Sequence, residues 1–245
     1  IFEIQKELKP LLFYTSGYYK PIIKGEYDLH SIKADYYISL LKLPRLLCTN
    51  IANIPKLAHI ISVDKLLVEK YKSLLINNKK KVGLVWAGNP EHPNDHNRSL
   101  PFNYLKILFN NKNCHYYLLQ QSEFQLPEDF NEFTNLTNLR NELTSLKNTV
   151  AIILNLDLII TVDTMIAHLS AALNKPTFLL LPYLPDWRWL LNRDNSIWYD
   201  SIKIFRQINP GDWSYPLEQV FRSLSDTAET KEIEQKIKQL IDKSD

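Results

Sequence analysis

From residue 82 onward, the chain alternates between short apolar runs and segments with helical periodicity. This pattern predicts, in order, strand 82–88, helix 101–110, strand 114–120, helix 143–155, strand 156–162, helix 164–174 and strand 177–182. Strands that alternate with helices of this length indicate βαβ units and a parallel sheet. Because the strands are apolar throughout rather than at every second position, helices are predicted to cover both faces of the sheet. The predicted fold class is therefore α/β.

The region before this alternation is ambiguous. In residues 1–62, prolines and glycines break short apolar runs, which suits both short strands and short helices. Residues 63–76 have apolar positions at helical spacing and end in the polar run 77–81, a predicted domain boundary. The predicted organisation is part of one domain (1–76), a complete α/β domain (80–220), and a tail (221–245) with an amphipathic helix at 228–243 that packs across a domain or binds a partner helix.

Composition excludes several classes of protein. Hydrophobic residues make up 45% and charged residues 23% of the chain, as in ordinary soluble proteins. A net charge of +2 gives no electrostatic support for nucleic-acid binding. No apolar run approaches the roughly 20 residues needed to cross a bilayer, and no signal peptide is visible. A cytoplasmic location is predicted, with peripheral membrane contact and the oligomeric state left open.

The cysteines and the first residue add two expectations. Cys48 and Cys114 stand alone, without the spacing of a metal or redox site, and are predicted to be free buried thiols in a reducing compartment. The chain begins at Ile1 and its only methionine is Met165, so we expect it to be a piece of a longer product.

An acid and a histidine follow the most apolar strand. Asp163 comes directly after strand 156–162, at the sheet edge where ligands bind in open α/β folds. It is predicted to cap the next helix, with Thr164 in the first turn, where free backbone N–H groups suit a phosphate. Helical geometry predicts that His168 reaches back over Thr164 and, if protonated, adds positive charge there. The alternative is that Asp163 is only a cap and His168 a packed histidine.

The segment "VDTMIAHLSAALNKP" resembles the Asp-Thr-x-x-x-His motif of glycosyltransferase family 9, the heptosyltransferase-like enzymes. The nearest likeness is to the bacterial branch often found behind tetratricopeptide repeats. It extends over roughly residues 36 to 220 through four further stretches: "YYISLLKLPRLLCTNIANIP" (36–55), "VGLVWAGNPEHPNDHNRSLP" (82–101), "LPYLPDWRWLLNRDNSIWY" (181–199) and "FRQINPGDW" (205–213).

The resemblance implies a GT-B fold, in which two Rossmann-like domains face each other across a cleft. The second domain would bind the nucleoside diphosphate of a sugar donor, without a bound metal or other cofactor. Carried over, the backbone N–H groups from Thr164 to Ile166 and the side chain of His168 would hold the diphosphate. Heptosyltransferases proper have glycine after Asp-Thr, whereas this chain has Met165. That side chain narrows the approach and leaves ADP, GDP and UDP open as the nucleotide.

The loop after strand 82–88 supplies further candidates. Gly88 is predicted to allow the turn, Asn89 to donate to an oxygen acceptor, and Arg98 to bring a permanent cation to the edge that holds His168. The resemblance implies that Arg98 contacts the donor phosphate, and the alternative is a solvated loop arginine. A metal site at His92, Asp95 and His96 is disfavoured, since Pro93 and Asn94 indicate a loop rather than a helix.

Two more acids and a group of tryptophans complete the candidates. Asp186 follows strand 177–182 at the same edge. Glu123 follows strand 114–120, where a Rossmann-like domain places a carboxylate on the ribose hydroxyls, although it could equally be an exposed loop acid. The tryptophans, which alternate with arginines, are expected to lock irregular loops onto the core rather than to form a stacking platform for a sugar or base: Trp187, Trp189, Trp198 and Trp213.

The implied activity is transfer of a sugar from a nucleoside-diphosphate donor to a glycan or protein acceptor. His168 and Arg98 would stabilise the leaving diphosphate. The general base of the resembling enzymes comes from the start of the first domain, and no segment of this chain matches it. Two alternatives therefore stay open. One is a non-catalytic module that binds the donor, and the other, less favoured, is a GT-B sugar-nucleotide epimerase.

Overall fold

A computed structural model of the protein describes residues 2–12, 21–28, 31–54, 61–76, 78–121 and 132–225. Near the start of the chain, β1 (Phe2–Ile4) and β2 (Pro21–Ile23) form a two-stranded parallel sheet, and a 3-10 helix (Lys6–Leu11) follows β1. Another 3-10 helix (Leu40–Lys42) leads into the short helix α1 (Leu43–Leu46). The ambiguous first region thus contains both strands and helices.

The segment around α1 exposes many large apolar side chains. Tyr36 and Tyr37 are 94% and 96% exposed. The same stretch of the chain also exposes Leu40, Leu41, Leu46, Leu47 and Ile51. Exposed apolar side chains that form a contiguous patch are typical of interaction surfaces. This segment lies in the region assigned from the sequence to a first domain, and that division stays a prediction.

Helix α2 (Lys65–Leu74) confirms the helix predicted over 63–76 and packs against the main sheet domain. Asp64 caps it, its carboxylate accepting two backbone N–H groups of the first turn. Tyr71 is fully buried, and its hydroxyl donates to Oε2 of Glu142 at 3.1 Å. Burial, reinforced by the Glu142 carboxylate, raises the pKa of Tyr71 to about 12, so this phenol stays protonated at neutral pH.

The main sheet is parallel and has six strands: β3 (Lys80–Val85), β4 (Cys114–Leu118), β5 (Leu136–Asn138), β6 (Leu158–Val162), β7 (Thr177–Leu181) and β8 (Ile202–Arg206). Their order across the sheet is β5-β4-β3-β6-β7-β8. The chain runs from β3 outward to one edge and returns to β6 on the other side of β3. Strand order therefore reverses between β3 and β6, and ligands of open α/β sheets bind beyond the carboxyl ends of strands at such a point.

Both faces of this sheet are covered, which confirms the α/β prediction. The loop after β3 contains the short helix α3 (Asp95–Arg98) and leads to a 3-10 helix (Phe102–Asn110). That helix packs on one face together with α6 (Ser214–Leu224), whereas α2, α4 (Leu146–Leu154) and α5 (Met165–Ala172) pack on the other. Consecutive residues of β6 pack on opposite faces of the sheet: Ile159 on the face covered by α4, and Ile160 on the face covered by α6. A strand that is apolar throughout therefore buries both of its faces.

The predicted elements differ from the observed ones mainly at their ends. Strand β3 ends at Val85, and the next two residues bond through their backbone to the buried side chain of Gln120 instead of to a neighbouring strand. Its Oε1 accepts the N–H groups of Trp86 and Ala87, and its Nε2 donates to the Ala87 carbonyl. The helix predicted over 101–110 is a 3-10 helix. Sequence analysis did not predict β5, β8 or α6.

The structure tests the predictions for the two cysteines, whereas two other predictions concern residues that it does not describe. Cys114 is buried as predicted, whereas Cys48 is exposed, so the prediction of two buried thiols is wrong for Cys48. Glu123 and the helix predicted over 228–243 fall in ranges that the structure does not describe. In the described part of the chain, no helix is both long and apolar enough to cross a membrane.

Candidate functional site

A cavity of about 380 Å³ opens at the carboxyl edge of the sheet. It lies between the loops that follow β3, β6 and β7, beside the point where strand order reverses. Six of the candidates from the sequence line it, together with two residues that the sequence did not assign to a ligand: Arg98, Asp163, Thr164, Met165, His168 and Asp186, with His92 and Arg188. Pockets of about 300–1,000 Å³ with a few convergent polar groups are typical of small-molecule sites.

The start of α5 forms one wall of this cavity. Thr164, not Asp163, is the N-cap: its backbone is extended and its Oγ1 accepts the Ile166 N–H at 3.2 Å. The predicted role of Asp163 as the cap is therefore wrong, and the Ile166 N–H, which was predicted to hold a phosphate, donates to the Thr164 hydroxyl here. Within the described chain, the N–H groups of Thr164 and Met165 are without a hydrogen-bond partner. They lie where the positive end of the helix dipole favours an anion.

Arg98 joins two loops at the cavity. Its Nε donates to Oδ1 of Asp95 at 2.9 Å, and its Nη1 donates to the backbone carbonyl of Asp163 at 3.0 Å. The side chain is only 16% exposed, so this is not the solvated loop arginine of the alternative interpretation. Its remaining nitrogen, Nη2, has no hydrogen-bond partner among the described residues. A guanidinium fixed at two nitrogens with a third free is suited to an anionic oxygen.

Gly88 makes room for this guanidinium. A Cβ at this position would lie 2.5 Å from Cζ of Arg98 and 2.6 Å from Oδ1 of Asp95, and nearer still to Nη2. The Gly88 N–H donates to Oγ of Ser99 at 2.9 Å. Its φ is not in the left-handed region, so the predicted role of Gly88 in allowing a turn is wrong. Glycine is needed here for close approach.

Asn89 and His92 lie in the same loop but differ in their relation to the cavity. Asn89 is exposed, and its Oδ1 accepts the Glu91 N–H at 3.0 Å. The structure does not bring it to the cavity. His92 lines the cavity, and its Nδ1 accepts the Asn94 N–H at 3.2 Å, which leaves Nε2 as the protonated nitrogen of the neutral ring. In the ranges that the structure describes, no three His, Cys, Asp or Glu residues are grouped to hold a metal ion.

His168 is both packed and part of the cavity. Its ring stacks on Trp189, with centroids 5.2 Å apart and planes 25° apart, and its Nδ1 lies 3.0 Å from the hydroxyl of Tyr199. Burial lowers the pKa of His168, and the Asp163 carboxylate partly opposes this effect. The imidazole is therefore neutral at pH 7, and protonation would require an anion beside it.

Asp163 is a partly buried acid whose carboxyl group is costly to ionise. Burial raises its pKa. The indole N–H of Trp189, the imidazole of His168 and the guanidinium of Arg98 act in the opposite direction. Although this indole N–H acts on the Asp163 carboxyl, Nε1 of Trp189 is buried and has no hydrogen bond of standard geometry. The interaction is therefore weaker than a formed hydrogen bond.

Asp186 and Arg188 also line the cavity, and they form an ion pair. Oδ1 of Asp186 accepts from the Arg188 backbone N–H at 3.0 Å and from Nη1 of Arg188 at 2.8 Å. The Arg188 guanidinium also lies over the Trp187 ring, 4.7 Å from its centroid. From the sequence, Arg188 was expected only to pack between Trp187 and Trp189. Its position two residues after a candidate acid, just beyond a strand end, was the available signal for a second cavity cation.

The tryptophans mainly hold the loops to the core, as expected. Trp189 and Trp213 are 1% and 2% exposed. Trp198 donates its indole N–H to the Arg188 carbonyl at 2.9 Å and so fixes the loop that carries this cation. Trp187 differs, because it is 64% exposed beside the cavity.

The Asp-Thr-x-x-x-His segment lies in the part of the chain that matches a known family. Residues 112–182 match glycosyltransferase family 9 (heptosyltransferase). The predicted resemblance to family 9 is confirmed over this segment, which runs from β4 to the end of β7 and includes Asp163, Thr164 and His168. Arg98 and Arg188 lie on either side of the family 9 match. The association with tetratricopeptide repeats and the expected truncation stay predictions.

Solved structures of family 9 enzymes resemble the chain at low identity. The ADP-heptose lipopolysaccharide heptosyltransferase II of E. coli is 17% identical, with 79% of this chain and 57% of that chain covered and a TM-score of 0.47. E. coli heptosyltransferase WaaC, solved with ADP, is 14% identical, with 64% and 48% covered and a TM-score of 0.42. A family 9 glycosyl transferase from Veillonella parvula is 13% identical, with 74% and 51% covered and a TM-score of 0.43.

The chain spans about half the length of these solved structures. No curated protein matches it significantly. The roles of individual residues therefore have to be inferred from the geometry of this chain.

Proposed function

We propose that the cavity binds the diphosphate of a nucleoside-diphosphate sugar and that the chain forms the donor side of a GT-B glycosyltransferase. The main support for this proposal is that three kinds of hydrogen-bond donor meet at one cavity. The partly free guanidinium of Arg98, the free N–H groups at the start of α5 and the imidazole of His168 share one cavity beside β3 and β6. These three kinds of donor come from two loops that leave adjacent parallel strands.

Each donor suits a phosphate for a separate physical reason. The first-turn N–H groups of α5 combine unpaired donors with the positive end of a helix dipole. Arg98 supplies a permanent charge in a planar arrangement that matches phosphate oxygens. His168 supplies a further N–H from a partly buried site, where a hydrogen bond is stronger than one in water.

In sugar transfer, the same groups would stabilise the negative charge that develops on the leaving diphosphate. They do not supply the general base that takes a proton from the acceptor hydroxyl. Asp163 lines the cavity too, but it directly precedes the start of α5, where the diphosphate would bind. Of the other acids near the cavity, Asp95 is paired with Arg98 and Asp186 with Arg188. We therefore assign donor binding and leaving-group stabilisation to this chain, and leave the base to the acceptor side of the enzyme.

The pairing of these two acids also supports the second candidate, a donor-binding module without activity. Donor turnover separates the two functions. The purified chain, by itself and extended by the upstream sequence that its predicted truncation implies, is incubated with ADP-, GDP- and UDP-sugars, with and without glycan and peptide acceptors, and release of the nucleoside diphosphate is measured. Release that Arg98→Ala slows supports the transferase. Saturable binding without release under any of these conditions supports the module.

The proposal includes expectations about partners and location. The acceptor is a glycan or a protein, the donor is the only small molecule required, and the cytoplasm is the expected compartment. The E. coli heptosyltransferase WaaC was solved with ADP, which makes ADP the first nucleotide to test, beside GDP and UDP.

Replacing His168 by alanine is expected to weaken diphosphate binding about 3- to 10-fold, since the variant loses one hydrogen bond in a partly buried site. Calorimetric titration of the wild type and the variant measures the effect. His96→Ala is the matched control, because His96 is an exposed histidine that does not line the cavity. A His168→Ala variant that melts earlier but binds normally would show that His168 is only a packed histidine.

Binding is expected to strengthen as the pH falls. The pKa of His168 is lowered by burial in the free protein, and a diphosphate beside the ring would raise it in the complex. Because the complex then holds the proton more tightly, affinity increases as pH falls through the pKa of the complex. It levels off below the lowered pKa of the free protein.

The measurement is the dissociation constant between about pH 8 and about pH 6, where an imidazole titrates. His168→Gln serves as the reference, because titration of the ligand itself is common to both proteins. Identical pH dependence in the two proteins would contradict a protonation of His168 on binding.

A further inference from the structure

The two ring nitrogens of His168 have different surroundings. Nδ1 lies 3.0 Å from the phenolic oxygen of Tyr199, which does not line the cavity. The ring face stacks on Trp189. The nitrogen that remains is Nε2, and His168 itself lines the cavity. The contact with Tyr199 therefore bears on which nitrogen carries the proton of the neutral ring.

The surroundings of Tyr199 indicate that its hydroxyl is the donor. Burial raises the pKa of Tyr199, so the phenol keeps its proton. In the described structure, the hydroxyl has no hydrogen-bond partner other than His168. The reverse arrangement, with a proton on Nδ1, would leave the phenolic proton without an acceptor among the described residues. It would also turn the lone pair of Nε2 toward the cavity, where the carboxylates of Asp163 and Asp186 act on the ring.

Tyr199 is itself held in place by its loop. Oγ of the buried Ser196 accepts the N–H groups of Trp198 and Tyr199 at 3.1 and 3.3 Å, which closes a tight turn. The indole of Trp198 is in turn bonded to the Arg188 carbonyl. The phenol therefore approaches His168 from a braced loop, and its direction is set before any ligand arrives.

We propose that Tyr199 is a positioning residue that keeps His168 in the tautomer with the proton on Nε2, so that a neutral imidazole presents an N–H to an anionic oxygen in the cavity. The groups that face His168 are Tyr199, Asp163, Asp186 and Arg188. The tautomer is inferred from the contact with Tyr199 and from the surroundings of its hydroxyl, whereas the role toward an anion rests on the proposed function.

The tautomer is measured directly by nitrogen NMR of the protein labelled with ¹⁵N-histidine, at about pH 8 where the imidazole is neutral. The signals of His168 are identified by their loss in His168→Gln. The wild type is expected to show protonated Nε2 and bare Nδ1, with no detectable Nδ1–H form. Tyr199→Phe is expected to show a mixture. A proton on Nδ1 in the wild type, or an unchanged population in Tyr199→Phe, would overturn the inference.

The second readout is affinity for ADP, GDP or UDP. Tyr199→Phe is expected to bind about 3- to 10-fold more weakly, because the imidazole N–H is no longer held toward the ligand. Tyr215→Phe, an exposed tyrosine outside the cavity, is expected to bind as the wild type does. In a His168→Gln background, which places an amide N–H near the position of Nε2, Tyr199→Phe is expected to have no further effect. An equal loss in both backgrounds would show that Tyr199 does not act through His168.

The two proposals fail in different ways. If none of the three diphosphates binds the wild type while NMR shows the proton on Nε2, the proposed function fails and the positioning role of Tyr199 stands. If the proton is on Nδ1, the positioning role fails whatever the calorimetry shows.

Discussion

An Arg98→Ala variant is expected to bind nucleoside diphosphates about 10- to 100-fold more weakly than the wild type. Hydrogen bonds to charged groups contribute about 1.5–3 kcal/mol, and Arg98 brings both its charge and a free Nη2 to the cavity. The substitution also removes the contact from Nη1 to the Asp163 carbonyl, which holds the loop before α5 in place. Arg98→Lys is expected to lose most of the affinity as well, since one ammonium cannot reach Asp95, the Asp163 carbonyl and the ligand together.

Calorimetric titration of both variants measures this effect. The matched control is Arg222→Ala, which removes an exposed arginine paired with Glu218 on α6, away from the cavity. It should bind as the wild type does. An Arg98→Ala variant with unchanged affinity would mean that the guanidinium only joins the two loops.

Gly88→Ala is expected to keep the fold and lose most of the binding. The new methyl group would occupy the space of the Arg98 guanidinium, the far end of a flexible side chain, so the arginine moves rather than the backbone. Displacing Arg98 should cost about as much affinity as removing it, again about 10- to 100-fold. Binding is measured by calorimetry, and the melting temperature is expected to stay close to that of the wild type.

The contrasting control is Gly83→Ala in β3. A Cβ there would lie 2.8–2.9 Å from Cδ1 of three buried residues, Ile159, Leu119 and Leu156, which have no free space to move into. Overpacking of this kind costs about 1–3 kcal/mol of stability. Gly83→Ala should therefore unfold at lower denaturant concentration while its folded fraction binds normally. Normal binding by Gly88→Ala would contradict the role that we give to this glycine.

The strands that the sequence predicted share one property. β3, β4, β6 and β7 are the inner strands of the sheet, and helices cover both faces there, so each is largely apolar along its length. The edge strands β5 and β8 were not predicted. β5 is only three residues long, Leu-Thr-Asn, and such a segment has no period. The strand order, and with it the switch point between β3 and β6, depends on long-range pairing that local pattern does not encode.

The part of the candidate site that could be predicted consists of residues whose type and place in the sheet leave few possible roles. An arginine and a histidine beyond strand ends of a parallel sheet were expected to meet, and Arg98 and His168 do line one cavity. The cap was not decidable, because Asp163 and Thr164 are both good capping residues. The extended backbone at Thr164 decides it.

Three other roles could not be predicted from the sequence, namely those of Gly88, Arg188 and Tyr199. Their positions depend on what lies across space from them: a guanidinium beside Gly88, the Asp186 carboxylate beside Arg188, and an imidazole beside Tyr199. Only the imidazole comes from a distant part of the chain, since Arg98 lies in the same loop as Gly88 and Asp186 is two residues before Arg188. Periodicity and motif spacing do not show which of these side chains meet.

The most direct test of the donor-site proposal is calorimetric titration of the 245-residue chain with ADP, GDP and UDP, each at up to about 1 mM, a concentration that detects even weak binding. The expected result is saturable binding of at least one of the three, with one nucleotide per chain. Absence of binding by all three would contradict the proposal that the cavity beside β3 and β6 is a nucleotide-sugar site.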